Sequence, residues 1–209
     1  AVVGVADYLA LNLNCPNTAG GHSPFDDPAA VRDLLAALAE LDRLPPVFLK
    51  VTATTDPARI ESTLSVAEPF RCVAGFSFNV PPGKPTELRT PAAEVAALPG
   101  VVCGRPLRAL MDATLRAWAD RIDRRRFSLI GGGGIASAED VYRALRHGAS
   151  LVQVYTALIY HGPGLIRRIN AGLAELLTRD GLATVADAMG ERAGGSGLGR
   201  IVQAGAIEK

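Results

Sequence analysis

The fold class is decided by residues 127–164, FSLIGGGGIASAEDVYRALRHGASLVQVYTALIYHGPG, which predict two consecutive β/α units. The apolar run Phe127–Ile130 predicts a strand, and the glycines Gly131–Gly134 end it. A helical segment follows and closes at His147–Gly148, where a glycine succeeds a basic last turn. Leu151–Tyr155 then predicts a second buried strand, after which another helix begins.

The glycine run Gly131–Gly134 either binds a phosphate or only connects a strand to a helix. Glycines let backbone N–H groups approach an anion, and the following helix adds the positive end of its dipole. Ser137 and Asp140 have the spacing of a capping box at the start of that helix. Two adjacent strands that end in this way are typical of the phosphate clamp of a (β/α)₈ barrel. The glycines alone leave both interpretations open, because they match neither a Walker loop nor a dinucleotide fingerprint.

Composition limits the class of protein. The chain has 209 residues, of which 48% are hydrophobic and 21% charged, as expected for one soluble globular domain. A net charge of +1 gives no field that would recruit nucleic acid or an anionic membrane. Cys15, Cys72 and Cys103 lack the spacing of a zinc site or a disulfide framework, which favours reduced thiols in the cytoplasm. The sequence shows neither a membrane span nor a signal peptide.

Strands and helices alternate along the rest of the chain. Three further strands are predicted at Asp7–Asn14, Val47–Ala53 and Val73–Val80. The pairs Asp27–Pro28 and Asp56–Pro57 each predict a helix start, with a capping aspartate and a proline in the first turn. The remaining helices are predicted at Pro91–Leu98, Arg105–Arg121, Leu165–Thr178 and Thr184–Met189. Five strands in strict alternation with helices predict a parallel sheet with right-handed crossovers.

Polar residues recur at the carboxyl ends of several predicted strands, which favours the mouth of a barrel over a doubly wound sheet. A complete (β/α)₈ barrel needs about 250 residues and eight strands. We therefore expect residues 1–190 to form the five C-terminal β/α units of a (β/α)₈ barrel. The three N-terminal units are expected to be missing from this chain, and residues 191–209 to form a glycine-rich flexible tail.

Three further features are predicted to be structural. Trp118 is expected to pack within the Arg105–Arg121 helix region. The basic run Arg124–Arg126 is more typical of a solvated helix end than of a nucleic-acid patch. No metal site is expected, because no carboxylate pattern surrounds the three histidines His22, His147 and His161.

The string LNLNCPNT, at Leu11–Thr18, carries the most specific candidate chemistry. It places two amides and a thiol at the end of a strand, followed by a proline that stiffens the loop. A cysteine there can act as a base or nucleophile, since thiols ionise far closer to neutral pH than hydroxyls do. A buried structural cysteine is the alternative. The flanking asparagines favour the catalytic interpretation, because they supply donors and acceptors for a planar polar ligand.

These motifs, in this order, resemble the dihydroorotate dehydrogenases, flavin enzymes of pyrimidine biosynthesis. The resemblance rests on NLNCPNT, PVFLKVT, a strand that ends in Asn79, CGRPLR, IGGGGIAS, GASLVQVYTALIYHGPG and DGLATVADAMG. It implies a (β/α)₈ barrel that holds FMN at its mouth. It also implies oxidation of (S)-dihydroorotate to orotate, in which a Ser or Cys removes the C5 proton and hydride passes from C6 to flavin N5.

The resemblance implies roles for individual residues. Cys15 corresponds to the catalytic base. The residues that correspond to substrate-binding amides are Asn12, Asn17 and Asn79. The residues that correspond to FMN-binding positions are Asn12, Lys50, Gly104, Gly133, Gly134, Tyr155 and Thr156. Lys50 contacts the flavin ring in this scheme, and the glycines, Tyr155 and Thr156 hold the phosphate.

The chain also departs from the family pattern. Its CGRPLR, SLVQVYTAL and DGLATVADAMG strings resemble the membrane-associated class, which favours a quinone as electron acceptor, but Cys15 is typical of the soluble classes. Asn14 replaces a small residue, Val80 replaces a Ser or Thr, and the tract PPGKPTELRTP is unusual. A related flavin barrel that acts on another pyrimidine or enone therefore stays open. So does a non-catalytic partial barrel that binds a phosphate ligand or a partner subunit.

The expected partners follow from the short length. A partial barrel exposes two strand edges and an apolar lumen, so we expect a missing N-terminal half or a second chain to complete it. The 209-residue chain alone should bind FMN poorly and be inactive. No nucleic-acid partner is expected, and a homo-oligomer stays open. We expect a cytoplasmic protein, with peripheral attachment to the inner membrane through the missing N-terminal part as an alternative.

Overall fold

The computed structural model of the protein describes residues 4–15, 23–84 and 88–189. Five parallel strands form one sheet in chain order. The strands are β1 Leu9–Asn12, β2 Val47–Thr52, β3 Val73–Asn79, β4 Ser128–Gly131 and β5 Leu151–Val152. This sheet confirms the predicted parallel alternation, with β1 and β5 as the two edges of the described part. The Gly-rich segment beyond residue 189 lies outside the described residues, so its flexibility stays a prediction.

Helices connect every pair of neighbouring strands. They are α1 Pro28–Ala39, α2 Pro57–Ala67, α3 Ala92–Ala97, α4 Arg108–Ala119, α5 Ala138–Arg146, α6 Thr156–His161, α7 Gly164–Arg179 and α8 Val185–Ala188, with 3₁₀ turns at Pro24–Asp26 and Arg105–Leu107. Asp27 accepts a hydrogen bond from the Ala29 N–H at 2.9 Å. Asp56 does the same for the Ala58 N–H at 3.0 Å. Both predicted caps are confirmed.

The core lies between the sheet and the helices that cover it. Phe48, Leu49 and Phe76, on the central strands β2 and β3, are fully buried. The indole of Trp118 on α4 packs against the rings of Phe76 and Phe78, with centroids 4.8 and 5.3 Å apart. Trp118 is a packing residue, as predicted from the sequence.

The predicted strand Leu151–Tyr155 is wrong in length and in burial. β5 is only two residues long, and Leu151 is 36% exposed. Within the described part of the chain, this strand pairs with β4 alone. The chain then turns into α6 at Thr156.

The predicted helix Arg105–Arg121 is also interrupted. A 3₁₀ turn, Arg105–Leu107, precedes α4, because Pro106 has no N–H for an α-helical bond and is tolerated only in a first turn.

No described helix is both long enough and apolar enough to cross a bilayer.

Two polar side chains at helix ends have tertiary partners that the sequence does not show. Arg126 is only partly exposed: it donates to the Phe70 carbonyl at 3.0 Å and lies 4.5 Å from the centroid of the Phe127 ring. His147 does have a neighbouring carboxylate, since its Nδ1 lies 3.5 Å from Asp112 Oδ1 on α4. Phe70 and Asp112 are distant in sequence from Arg126 and His147, so no local pattern indicates these two contacts.

The capping box at the start of α5 forms only in part. Ser137 Oγ accepts from the Asp140 N–H at 3.3 Å, as predicted. The Asp140 carboxylate does not return to the Ser137 N–H; it accepts from the Ala136 N–H and from two arginines instead. Charge-assisted bonds from guanidinium groups are stronger than a neutral backbone bond and decide where the carboxylate points.

Candidate functional site

A cavity of about 570 Å³ lies at the carboxyl ends of the strands. Asn12 and Asn79 are the last residues of β1 and β3, the glycine turn follows β4, and Gln153 follows β5. All the strands are parallel, so their carboxyl ends meet at one edge of the sheet. The volume falls within the range of about 300–1,000 Å³ that is typical of small-molecule sites.

Nine of the ten site residues predicted from the sequence line this cavity. They are Asn12, Cys15, Lys50, Asn79, Gly104, Gly133, Gly134, Tyr155 and Thr156. Asn17 lies outside the described residues. The structure therefore brings the candidates together, whereas the role of each one stays a prediction.

The orientation of the two asparagine amides is fixed by one backbone carbonyl. Asn79 is 8% exposed, and its Nδ2 donates to the Asn14 carbonyl oxygen and, at 2.5 Å, to Asn12 Oδ1. A backbone carbonyl only accepts, so Asn79 must turn its NH₂ group toward it. Asn12 must in turn present its oxygen. Among the described residues, Asn12 Nδ2 is then left as a donor and Asn79 Oδ1 as an acceptor without a partner, an arrangement that suits a ring with N–H and C=O groups.

Asn14, a departure from the family pattern, lies outside this cavity. Its Nδ2 donates to Asp26 Oδ1 at 2.6 Å, and Ser23 Oγ donates to the Leu13 carbonyl close by. Asn14 lines a second cavity, of about 600 Å³, between α1, α2 and the sheet. Cys15 lies on the wall of both cavities. Val80, the other departure, does line the first cavity.

The glycine turn after β4 has a backbone that side chains would disturb. Gly133 and Gly134 have φ of 82° and 78°. A Cβ on Gly133 would lie 2.5 Å from Met111 Cγ, and one on Gly134 would lie 2.9 Å from Arg108 Cβ. The turn therefore packs tightly against α4 on one side. Gly132 differs, because a Cβ there would meet only the Gln153 carbonyl oxygen, 3.9 Å away.

Backbone N–H groups of this turn are available to a ligand. Within the described ranges, the N–H groups of Gly132, Gly133 and Gly134 have no backbone acceptor. Gly104, with φ 87°, is a further glycine on this cavity wall. A Cβ on it would lie 3.1 Å from Thr156 Cγ2. Successive N–H groups of this kind form the concave nests that bind anions.

The charge of the wall suits an anionic ligand. Lys50, Arg105 and His161 line the cavity, and no Asp or Glu is among its described lining residues. Lys50 is half-buried, and none of the ion pairs found among described residues includes it. Its ammonium group is therefore held near the cavity without a carboxylate to neutralise it.

Sequence reasoning missed several lining residues. Gln153 has the same position after β5 that Asn79 has at the end of β3, so the strand-end rule could have found it. Met111 and Tyr160 also line the cavity. They approach through helices α4 and α6, and only the folded arrangement of those helices brings them to the wall.

Comparison with known proteins decides the family. Residues 2–177 match the family model described as dihydroorotate dehydrogenase. The chain belongs to the dihydroorotate dehydrogenase family. This confirms the resemblance that the motifs carried.

Similar curated proteins carry names from the same family. The chain is 38% identical over 193 residues to dihydroorotate dehydrogenase (quinone) of Sphingopyxis alaskensis, covering 91% of this chain and 52% of that protein. It is 37% identical over 203 residues to the protein of the same name from an Anaeromyxobacter species, covering 90% of this chain and 53% of that one. The chain thus spans about half the length of the curated relatives it matches.

Solved structures of the family confirm the fold class. The structure of DHODH in complex with ferulenol from Eimeria tenella superimposes with a TM-score of 0.76 at 28% identity, over 88% of this chain and 54% of that chain. The ligand-free form from the same organism gives 0.78 at 27% identity, over 90% and 57%. The five-stranded parallel sheet is therefore part of a (β/α)₈ barrel.

Proposed function

We propose that this chain carries the substrate- and phosphate-binding part of an FMN-dependent enzyme that oxidises (S)-dihydroorotate to orotate. The observation that supports this most strongly is the convergence of the nine candidate residues on one cavity without a described acidic side chain. Dihydroorotate and the FMN phosphate are both anions. The wall has amides, backbone N–H groups without a described backbone acceptor, and a lysine outside the described ion pairs, a combination that fits such anions.

The glycine turn fits the phosphate of FMN. Gly133 and Gly134 have positive φ, a conformation that favours glycine. The N–H groups of the turn have no backbone acceptor among the described residues. Gly104 and Thr156 lie on the same wall, where a Cβ on Gly104 would come within 3.1 Å of Thr156 Cγ2, and together they would complete the phosphate site. Lys50 would lie near the isoalloxazine ring and stabilise added negative charge. Bound FMN would supply the acceptor of the hydride that leaves C6 of the substrate.

Cys15 would remove the proton from C5 of dihydroorotate. Its position on the cavity wall, three residues after the end of β1, supports this role. The proton passes to Sγ and the C6 hydrogen leaves with its electron pair, so one C–C bond becomes a double bond and the balance is two electrons and two protons. Asn12 Nδ2 and Asn79 Oδ1 would hold the ring in register during this step.

A quinone is the proposed electron acceptor, because both relatives described above carry it in their names. Cys15 stands where the membrane-associated class normally has serine, so the acceptor is argued from the overall similarity and not from this residue. Peripheral attachment to a membrane through segments outside this chain is part of the same proposal.

Substitution of the proposed base tests this function. In the intact polypeptide, Cys15→Ala should leave FMN bound and slow anaerobic flavin reduction by dihydroorotate by roughly 10²- to 10⁴-fold, the usual contribution of a positioned base. Stopped-flow absorbance measures the rate. Cys72→Ala is the matched control: Cys72 lies outside both cavities, and burial raises the pKa of its thiol. A Cys15→Ala protein with an unchanged reduction rate would remove Cys15 from the role.

Val80 supports a second candidate, oxidation of a different dihydropyrimidine. It lines the cavity without offering the hydroxyl that the family has at this position, so a contact to the substrate is lost. The same stopped-flow assay with dihydrouracil separates the two functions. Faster reduction by dihydrouracil than by dihydroorotate would favour the second.

A further inference from the structure

Asp140 lies behind the glycine turn in a buried position. Its side chain is 3% exposed and accepts hydrogen bonds from Arg108 Nη2 at 2.7 Å, from Arg143 Nη2 at 2.9 Å and from the Ala136 N–H at 2.9 Å. It is absent from the cavity wall, and so is Arg108. A buried carboxylate with three donors is a rigid support, because each donor restricts a different direction.

Asp140 is connected to the turn at two points, directly at one and through Arg108 at the other. At one end it accepts from the N–H of Ala136 directly. At the other end it acts through Arg108, whose Nη2 also donates to the Gly134 carbonyl oxygen at 3.2 Å. One guanidinium nitrogen thus joins the carboxylate to the turn, and the segment 134–136 is held at both ends from outside the cavity.

This support determines where a peptide group points. The Gly134 C=O and the Ile135 N–H belong to one trans peptide, so they point in opposite directions. Because Arg108 holds the carbonyl on its own side, the Ile135 N–H points away from Arg108. Ile135 lines the cavity, and its N–H has no backbone acceptor among the residues with described positions.

We propose that Asp140 is a positioning residue that, through Arg108, holds the glycine turn with its N–H groups toward the phosphate of the flavin cofactor. The inference deepens the proposed function and rests on it. The carboxylate is ionised at neutral pH: burial alone would raise the pKa of Asp140, but the bonds from Arg143 and Ala136 and the charge of Arg108 outweigh it and lower the pKa.

A comparison of FMN with riboflavin, which lacks the phosphate, tests the inference. In the intact polypeptide, Asp140→Asn keeps the shape of the side chain but loses the charged acceptor. We expect the preference for FMN over riboflavin to fall roughly tenfold, as for one charge-assisted hydrogen bond, while riboflavin affinity is unchanged. Quenching of flavin fluorescence gives both dissociation constants without any turnover.

Arg108→Met separates positioning from simple charge and also covers the case in which Asp140→Asn does not fold. It removes a positive charge where Asp140→Asn removes a negative one. If the pair acted on the phosphate only through its charges, the two variants would change the FMN preference in opposite directions. Positioning predicts that both lower it, because Arg108→Met removes the bond to the Gly134 carbonyl and Asp140→Asn weakens the anchor that holds Arg108 in place.

Asp112→Asn is the matched structural control. Asp112 accepts from Arg143 Nε at 2.8 Å and belongs to the same ion-pair network, but none of its hydrogen bonds or ion pairs among the described residues reaches the turn. It should lower the melting temperature and leave the FMN preference intact.

Three results would overturn the inference. An unchanged FMN preference in Asp140→Asn or Arg108→Met would show that the network only connects α4 to α5 and does not position the turn. If the preference for FMN over riboflavin rose in Asp140→Asn, Asp140 would act on the phosphate only through its negative charge. A wild-type protein that does not prefer FMN to riboflavin would refute the proposed function itself, and the inference with it.

Discussion

Gly131, Gly132, Gly133 and Gly134 meet different surroundings, although the sequence presents them as one run. Gly131 is within β4, where a Cβ would lie 3.2 Å from Ala149 Cβ. A Cβ on Gly132 would have one described neighbour within 4 Å, the Gln153 carbonyl oxygen, whereas Gly133 and Gly134 combine positive φ with close contacts to α4. The run predicts a turn, but only the neighbours, which come from distant segments, reveal which glycine position has room for a side chain.

Gly132→Ala and Gly133→Ala should therefore have different effects. An alanine at Gly132 meets only one atom within 4 Å, so the fold should tolerate it, but its methyl group would project into the cavity and weaken FMN binding. Gly133→Ala should lower the free energy of unfolding by about 1–3 kcal/mol, the cost of a side chain at positive φ. Thermal melting without flavin and FMN titration distinguish the two effects. Equal melting losses would contradict the assignment.

Sequence reasoning at this scale found the polar residues but not their partners. Asn12, Cys15 and Asn79 follow from the motif order and from their places at strand ends. The bond between Asn79 and Asn12 joins residues 67 positions apart, so its geometry depends on the register of the sheet. The pairing of Asn14 with Asp26 is equally tertiary, and it removes Asn14 from the cavity.

At the scale of elements, local signals predict helix starts better than strand ends. The Asp–Pro pairs place α1 and α2 correctly, because the cap and the proline act within one turn. β5 is shorter than its apolar run, because the length of a strand depends on which neighbours pair with it. The α4–α5 ion pairs have no local signal at all.

Trp118 packs α4 against β3, and its replacement should show how much this contact contributes to the free energy of unfolding. Trp118 is fully buried, and its Nε1 has no hydrogen-bond partner among the described residues. Trp118→Ala should lower the free energy of unfolding by about 3–5 kcal/mol. Trp118→Phe should cost clearly less, since it keeps most of the ring contact and removes an unsatisfied donor. Denaturant unfolding measures both, and equal losses would contradict this account of the core.

At the scale of the whole molecule, the described sheet has two open edges, β1 and β5. Large apolar side chains are exposed beside β5: Tyr155 is 76% exposed, Ile159 74% and Tyr160 80%. Unpaired parallel edges and exposed apolar groups favour association with another surface. The family relatives are about twice as long, in keeping with this need for a partner.

A polypeptide of these 209 residues alone should therefore self-associate. Light scattering after size exclusion should give a mass above 21.8 kDa that rises with concentration. Ile159→Lys should reduce the association, because it places a charge in the exposed apolar region. A concentration-independent monomer would show that the edges are protected in another way.

The visible absorbance spectrum of the intact polypeptide, before and after anaerobic addition of dihydroorotate, tests the central claim most directly. The claim is that the strand ends form a pocket where a flavin meets a dihydropyrimidine. We expect a yellow protein whose flavin absorbance bleaches on adding dihydroorotate. A colourless protein that gains no flavin absorbance from added FMN would contradict it.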